Sequence, residues 1–373
     1  MECLEKPAWN ENIMYVLEPL HTRADLARLT VDAPNKAIRQ KVMENWDKVA
    51  KPLDGMGKFE HIIADIGAMI GTDQIELSKK AVIIMCADNG IVAEGISQSG
   101  QEVTFAVAQN MAKKQSSVGK MASVIGADTI PLDIGINSEI EIQGLLQKKI
   151  RCGTRNFLEE PAMTEEETIR AISVGIDIVA DCKNTGYQIL ATGEMGIGNT
   201  TTSSAVTAAL LNCAAAEVTG RGAGLDNQGL LRKQKVITKA MKQYGLQSAD
   251  ALRVLETVGG LDIAGLVGVC IGGALFHVPI VLDGVISLAA ALLAERIVPG
   301  TKDYLIASHK GKEPAMERLM KELGLEAVID GNLALGEGTG AVMMLSLLEI
   351  ALSVYSDGAT FSDIQISQYE RLK

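Results

Sequence analysis

The chain has 373 residues, 47% of them hydrophobic and 22% charged, a globular composition with length enough for a large buried core. Its net charge of −11, with no run of Lys or Arg longer than a pair apart from the mixed LLRKQKVITKAMKQ, counts against nucleic acid as a partner. Length alone suggests about two or three domains, although large α/β folds often run longer as one unit.

The opening MECLEKPAWNEN is polar and charged, unlike a signal peptide. Helical spacing is predicted over DAPNKAIRQKVMENWDKVA and GKFEHIIADIGAMIG, with the Pro/Gly break KPLDGMGKFE between them. KAVIIMCADNG is a buried β-branched run ending in Asp-Asn-Gly, which reads as strand then loop. EVTFAVAQNMAKKQSSVGKMASVIG reads as helix throughout, and ADTIPLDIGIN as a second strand. The helix from Thr164 opens on an N-cap followed by three glutamates and stops at Gly186. YQILATGEMGIGNTTTSSAVTAALL then predicts strand, glycine loop and small-residue helix. Two helices, a strand, a loop and a helix follow through VLETVGGLDIAGLVGVCIGGALFHVPIVLDGVISLAAALLAERI. KDYLIASHKG predicts a further strand and loop, and KEPAMERLMKELGLEAVID a helix with a short strand. Strand–loop–helix units in series predict an α/β fold: a mostly parallel, Rossmann-like sheet with helices on both faces. LVGVCIGGALFHVPIVL and AVMMLSLLEIALSVY carry His277 and Glu349 and are short for membrane spans. Cys3, Cys86, Cys152, Cys182, Cys213 and Cys270 form no CxxC pair and read as buried, reduced thiols of a cytoplasmic protein.

Right-handed crossovers place the loops after the strands on one rim of such a sheet, where ligands bind. In GEMGIGNTTTS, Gly193, Gly196 and Gly198 free the backbone and Thr200 to Thr202 start a helix, whose N-terminal amides can hold an anion; a plain tight turn is the alternative. Neither the Walker pattern nor the dinucleotide glycine spacing is met. In GNLALGEGTGAVM, Glu337 stands among glycines that keep other side chains away, and is a candidate base; a solvated loop glutamate is the alternative. Glu194 is a second acid on the same rim, suited to stabilising a developing oxocarbenium, or else a cap on the following helix. Lys233 can meet a phosphate, or lie on a solvated helix face. Only four histidines are present; His277 reads as a core residue, and His309 in ASHKG can touch a ligand. No metal-ligand signature and no nucleophile elbow is found.

Taken in order from about residue 50 to 350, KPLDGMGKFE, ADNGIVAEGISQSGQEVT, GEMGIGNTTTSSA, GRGAGLDNQGLLRK, GGLDIAGLVG, LDGVIS and LGEGTGAVM resemble the nicotinate-nucleotide–dimethylbenzimidazole phosphoribosyltransferase family. The resemblance implies transfer of phosphoribose from nicotinate mononucleotide to a lower-ligand base, giving nicotinate and an α-ribazole phosphate for cobalamin assembly, without a cofactor or metal. It implies a small helical domain from residues 1–75 with 350–373, a large α/β catalytic domain over 76–349, and a homodimer remote from membranes. Catalytic roles carry over to Glu337 and Glu194. Substrate-binding roles carry over to Lys233, Gly196, Gly198, Asn199, Thr200, Gly336, Gly338, Thr339, Gly340, Asp262, Asp88 and Gln101. Phosphate is expected on the main chain of the GIGNTT and GEGTG loops.

The chemistry accounts for a lone acid in that turn. An azole N–H is weakly acidic, and a carboxylate raised in pKa by a dry pocket can take its proton during attack. Departing nicotinate is a cationic pyridinium and needs no general acid. Two departures from the family pattern, Asn89 where a histidine is expected and SQSGQ in place of a proline-bearing version, leave benzimidazole, purine and phenolic acceptors open. Phosphoribosyltransferases that use pyrophosphorylated ribose need two adjacent acids at a strand end, whereas PLDIGIN and VLDGVIS carry single aspartates. A nucleotide-binding module without turnover is the remaining alternative.

Overall fold

A computed structural model describes residues 14–371; Cys3 and the polar opening segment lie outside the described residues. In chain order the first elements are α1 (Arg23–Leu26), α2 (Lys36–Lys48), α3 (Lys58–Ile70), β1 (Lys80–Ala87), α4 (Glu102–Ala112) and α5 (Ser117–Val124). Next come β2 (Asp128–Gly135), β3 (Leu146–Gln147), α6 (Glu165–Asn184), β4 (Ile189–Met195), α7 (Asn199–Leu210), α8 (Ala215–Val218) and α9 (Asn227–Tyr244). The chain continues through α10 (Ala251–Val258), α11 (Leu261–Leu275), β5 (Ile280–Leu282), α12 (Val285–Ile297), β6 (Leu305–Ala307) and β7 (His309–Gly311). It closes with α13 (Met316–Leu323), β8 (Ile329–Leu333) and α14 (Thr339–Asp357).

Six strands form one parallel sheet in the order β3-β2-β1-β4-β5-β6, the doubly wound arrangement expected from the strand–loop–helix series. The order reverses between β1 and β4, so the crevice beyond their C-terminal ends is where such a sheet takes a ligand. Alternation along β1 divides the core. Ala81, Ile83 and Met85 join the layer holding α6 and α11, while Val82, Ile84 and Cys86 join the layer holding α2, α3 and α14. Pro131 sits inside β2 without breaking a ladder on its outer side, because β3 pairs only with Leu132 and Asp133.

Several local expectations need correction. The predicted helix over residues 102–126 is two helices, broken where Lys114 adopts φ 54° and Ser116 caps α5. ASHKG is not a simple loop: β7 pairs with β8 in a separate two-stranded sheet. His277 is half-buried at φ 55°, with its ring edge-on to Tyr304 at 5.5 Å, rather than a core residue. Of the cysteines described, Cys86, Cys182 and Cys270 are buried as expected, but Cys152 and Cys213 are partly exposed; all five are free thiols. α14 runs 19 residues with a mean hydropathy of 1.5, long and apolar enough to cross a membrane by composition. Here it buries Ala341, Val342, Leu345, Leu348 and Leu352 in the protein core. α6 opens with the expected cap, Thr164 and Glu167 each bonding the other's main chain.

α6 and α11 cross so closely that glycine is required at their contact. A Cβ on Gly268 would lie 2.0 Å from the Ile172 carbonyl oxygen, and one on Gly175 would lie 2.0 Å from that of Gly265. Gly268→Ala is therefore expected to lower the unfolding free energy by about 1–3 kcal/mol. Urea denaturation reads this directly, and an unchanged midpoint would contradict the packing.

Candidate active site

A cavity of about 310 Å³ opens at the C-terminal ends of β4 and β5, and Glu194, Asn199, Thr200, Asp283, His309 and Glu337 all face it. Val107, Met195, Ile286, Leu333 and Leu335 supply an apolar wall. The turn that carries Glu337 is built from three consecutive left-handed residues: Gly336 at φ 86°, Glu337 at φ 62° and Gly338 at φ 98°. Glycine takes that conformation freely, whereas a side-chain-bearing residue resists it by about 1–2 kcal/mol. The surrounding structure holds Glu337 there. Gly193 of β4 lets the turn settle on the strand, since a Cβ at that position would be 2.4 Å from the Glu337 carbonyl oxygen.

Three contacts fix this turn. The Glu194 carboxyl lies against the turn, facing the Glu337 main-chain N–H, with its Oε1 2.8 Å from where a Cβ on Gly336 would stand. Asp283 accepts the N–H groups of Gly338, Gly340 and Ala341 at 3.2, 2.8 and 3.2 Å, capping the N-terminus of α14. The Glu337 Oε2 accepts the Val118 N–H at 3.2 Å from the first turn of α5. Burial raises the Glu337 carboxyl above its ordinary pKa, the Val118 amide opposes that rise, and Asp283 adds to it. The Glu337 oxygens thus lie inside the rim, beside the other glycine-rich turns.

Glu194 is the penultimate residue of β4, not a loop residue, and is buried. Its Oε2 accepts from Asn199 Nδ2, which also donates to Asp262 Oδ2 at 3.2 Å. Burial, then the neighbouring Asp262 charge, pushes Glu194 up to about 8; burial pushes Asp262 up to about 6. One amide group thus bridges two carboxyls that resist being ionised together, so the pair retains a proton near neutral pH.

The phosphate-loop candidates divide. Gly196, Asn199 and Thr200 line the cavity at the start of α7, and Gly198 lines an adjoining recess of about 60 Å³ with Arg221. Lys233 is fully buried rather than on a solvated face, with its Nζ 2.8 Å from Thr200 Oγ1. Burial pulls it down to about 8, and Glu313 partly offsets this. Gly336 faces the cavity, but the amides of Gly338 and Gly340 are turned onto Asp283, and Thr339 Oγ1 donates to the Gly336 carbonyl at 2.8 Å. The main chain at the start of α14 is therefore occupied by an internal carboxylate, contrary to the expectation of a phosphate there.

Asp88, Gln101 and Asp262 do not line the cavity, and Lys233 lines neither it nor the adjoining recess but stands behind Thr200. Asp88 accepts the Asn137 N–H at 2.8 Å, and Gln101 ties the Asn89 carbonyl to the Asn137 amide at 3.1 and 2.8 Å. These bonds lock the ends of β1 and β2 together. Asp262 lies beneath Gly196, where a Cβ would meet its Oδ2 at 2.9 Å. Asn89 is buried behind the same loop, its Nδ2 on the Ile197 carbonyl at 3.3 Å, and does not face the cavity either.

Sequence reasoning did not name Asp283, Arg221, Glu313 or the α5 amides. The signal for Asp283 was its place in LDGVIS, at a strand end directly before a helix. His309 does face the cavity: its Nδ1 is 2.9 Å from Ser308 Oγ, and its ring packs so near Gly340 that a Cβ there would lie 2.0 Å from Nδ1.

The chain is similar to known proteins over most of its length. A family model described as Phosphoribosyltransferase matches residues 31–366. A nicotinate-nucleotide–dimethylbenzimidazole phosphoribosyltransferase of Acetivibrio thermocellus is 42% identical over 88% of this chain and 94% of its own. The enzyme of that name from Clostridium acetobutylicum is 38% identical over 92% of this chain and 97% of its own. A solved structure of the Thermus thermophilus enzyme superposes with a TM-score of 0.84 at 35% identity, covering 90% of this chain and all of that one. Matched by the family model over residues 31–366 and by relatives of that name over nearly its whole length, the chain belongs to the nicotinate-nucleotide–dimethylbenzimidazole phosphoribosyltransferase family.

Proposed function

We propose that this chain moves phosphoribose from nicotinate mononucleotide to a ring nitrogen of a benzimidazole-type base, with Glu337 as the base that takes the acceptor's proton. The observation that carries the reading is a half-buried carboxylate held at left-handed φ between two glycines, facing a cavity with an apolar wall. The strained residue is the one with chemistry to do, which is where backbone strain concentrates.

In this reading the acceptor nitrogen attacks the ribose C1 as the bond to nicotinate breaks. The bonding pair returns to the pyridine nitrogen, discharging the pyridinium, and the acceptor N–H proton passes to Glu337. Attack from the face opposite the departing ring inverts C1 and converts a β-nucleotide into an α one. The phosphate is assigned to the start of α7, where Gly196, Gly198 and Thr200 free the main chain and Lys233 supplies buried positive charge. Val107, Met195, Leu333 and Leu335 form the surface for the flat acceptor ring. Glu194, with Asn199 and Asp262 behind it, keeps the Glu337 main chain in place.

A homodimer belongs to the same proposal. Its support is an apolar stripe along α14, where Met343 is 40% exposed and Ile350, seven residues on and so on the same helix face, 60% exposed. Charged substitution there, such as Ile350→Asp, is expected to convert a dimer into a monomer in sedimentation velocity; a dimer persisting through that change would remove this face from the interface.

Glu337→Gln should leave nicotinate mononucleotide binding intact and slow nicotinate release to a benzimidazole acceptor by roughly 10²-fold or more. Full turnover in that variant would take Glu337 out of the reaction. Lys233 binds phosphate only while charged, and in the empty site that charge is lost as pH rises through about 8. The KM for nicotinate mononucleotide is accordingly expected to climb above that pH, and Lys233→Met to raise KM at pH 7 and flatten the climb. A KM independent of pH from 7 to 9 in the unaltered enzyme would contradict the assignment. A panel of benzimidazole, purine and phenolic acceptors, with products read by mass spectrometry, settles the acceptor class.

A further inference from the structure

The break between α4 and α5 leaves a helix N-terminus pointing at the catalytic turn. Ser116 caps it in an extended conformation, ψ 166°, with its Oγ accepting the Gly119 N–H at 3.3 Å. The first amides of an α-helix have no partner within the helix. Here the Val118 N–H donates to Glu337 Oε2 at 3.2 Å, and the Ser117 N–H bears on the same carboxylate. Two segments separated by more than two hundred residues thus meet through one side chain.

We infer that the first turn of α5 is a positioning element of the transfer reaction: its Val118 amide holds Oε2 of Glu337, the Ser117 amide beside it favours the same ionised group, and the other oxygen is left for the acceptor N–H. The inference rests on Glu337 being the base. Its surroundings otherwise favour the neutral acid. Glu194 at the end of β4 and Asp283 after β5 stand close by, and His309, Lys312 and Glu313 from the β7–α13 segment line the same cavity. Of these, Asp283 is the charge that acts on Glu337, and it acts to raise the pKa. α5 contributes only main-chain dipoles at this point; Val118 is buried in the core and Lys120 faces solvent. A protonated Glu337 could not take the acceptor's proton, so the grip is what makes an acid in this setting serviceable as a base. When the acceptor's proton arrives, the carboxylate loses its charge, and the attraction to the helix end weakens with it.

Two changes remove the donors singly. Ser117→Pro deletes one N–H at the first helical position, where proline is well tolerated, and Ser116 already has the extended backbone proline asks of its predecessor. Replacing Val118 by its α-hydroxy acid turns the other amide into an ester and preserves the side chain. Each change is expected to move the acid limb of the kcat–pH profile upward by about half a unit, because the ionised form loses a donor. The KM for nicotinate mononucleotide should stay unchanged, and the titration of a 13C-carboxyl label on Glu337 should move with the limb. A limb and a titration unmoved in both proteins would overturn the inference. Glu337→Gln, run alongside, keeps the two claims apart. An active Gln variant sinks the base itself, whereas an inactive one beside unmoved limbs sinks only the role of α5.

Discussion

The site depends on holding one acidic residue in a backbone conformation it resists. Glu337 sits left-handed between Gly336 and Gly338, and three groups from three different parts of the chain hold it there. Glu194 of β4 faces its N–H, Asp283 beyond β5 takes the amides that follow, and the first turn of α5 takes its carboxylate. Strain of about 1–2 kcal/mol is easily carried by such a set of charge-assisted bonds in a buried setting. A fourth constraint is purely steric. Gly193 and Gly340 admit the Glu337 carbonyl and the His309 ring at distances no side chain would allow.

Concentrating acids in this way has a cost in charge. Glu194, Asp262 and Asp283 are all buried near the same rim, and burial raises each of them. The protein manages this differently at each place. Asn199 shares its amide between Glu194 and Asp262, which then hold a proton between them. Asp283 keeps three main-chain donors and His309 near it, which pull against its burial. Lys233 stands on the far side of Thr200, buried and lowered, a cation suited to an anion that arrives from outside. With ribose and phosphate placed as proposed, the rim would set negative charge beneath the sugar and positive charge at the phosphate, the polarity that a cationic sugar centre bearing a phosphate would need.

Much of this was legible in the sequence, for identifiable reasons. β1 and β4 are β-branched or small-residue runs that end in glycine-rich turns, so the parallel sheet and its active rim could be read from KAVIIMCADNG and YQILATGEMGIGNTTT. Glu337 and Glu194 could be picked out because glycines isolate them. The reason for those glycines was less visible: they serve the left-handed turn and its seat on β4 more than ligand access. What stayed hidden depends on long-range contacts. Lys233 lies on a helix with a polar pattern, yet Thr200 and the loops above bury it. Nothing local tells that Asp283 fills the N-terminus of α14, or that Asp88 and Gln101 lock strand ends together instead of facing the cavity. The break at Lys114 that gives α5 its own N-terminus was missed because AKKQSS keeps a helical pattern.

In the proposed reaction Glu337 removes a proton from the acceptor, and one comparison isolates that step. Benzimidazole loses a proton on ribosylation, whereas 1-methylbenzimidazole attacks through its other nitrogen and loses none. Nicotinate release in single turnovers, measured with both acceptors in the unaltered protein and in Glu337→Gln, separates proton removal from any other service of the side chain. Proton removal by Glu337 gives a loss of roughly 10²-fold with benzimidazole and near-equal rates with the methylated ring. An equal loss with both acceptors would contradict it, placing Glu337 among the groups that shape the site and leaving the proton to another.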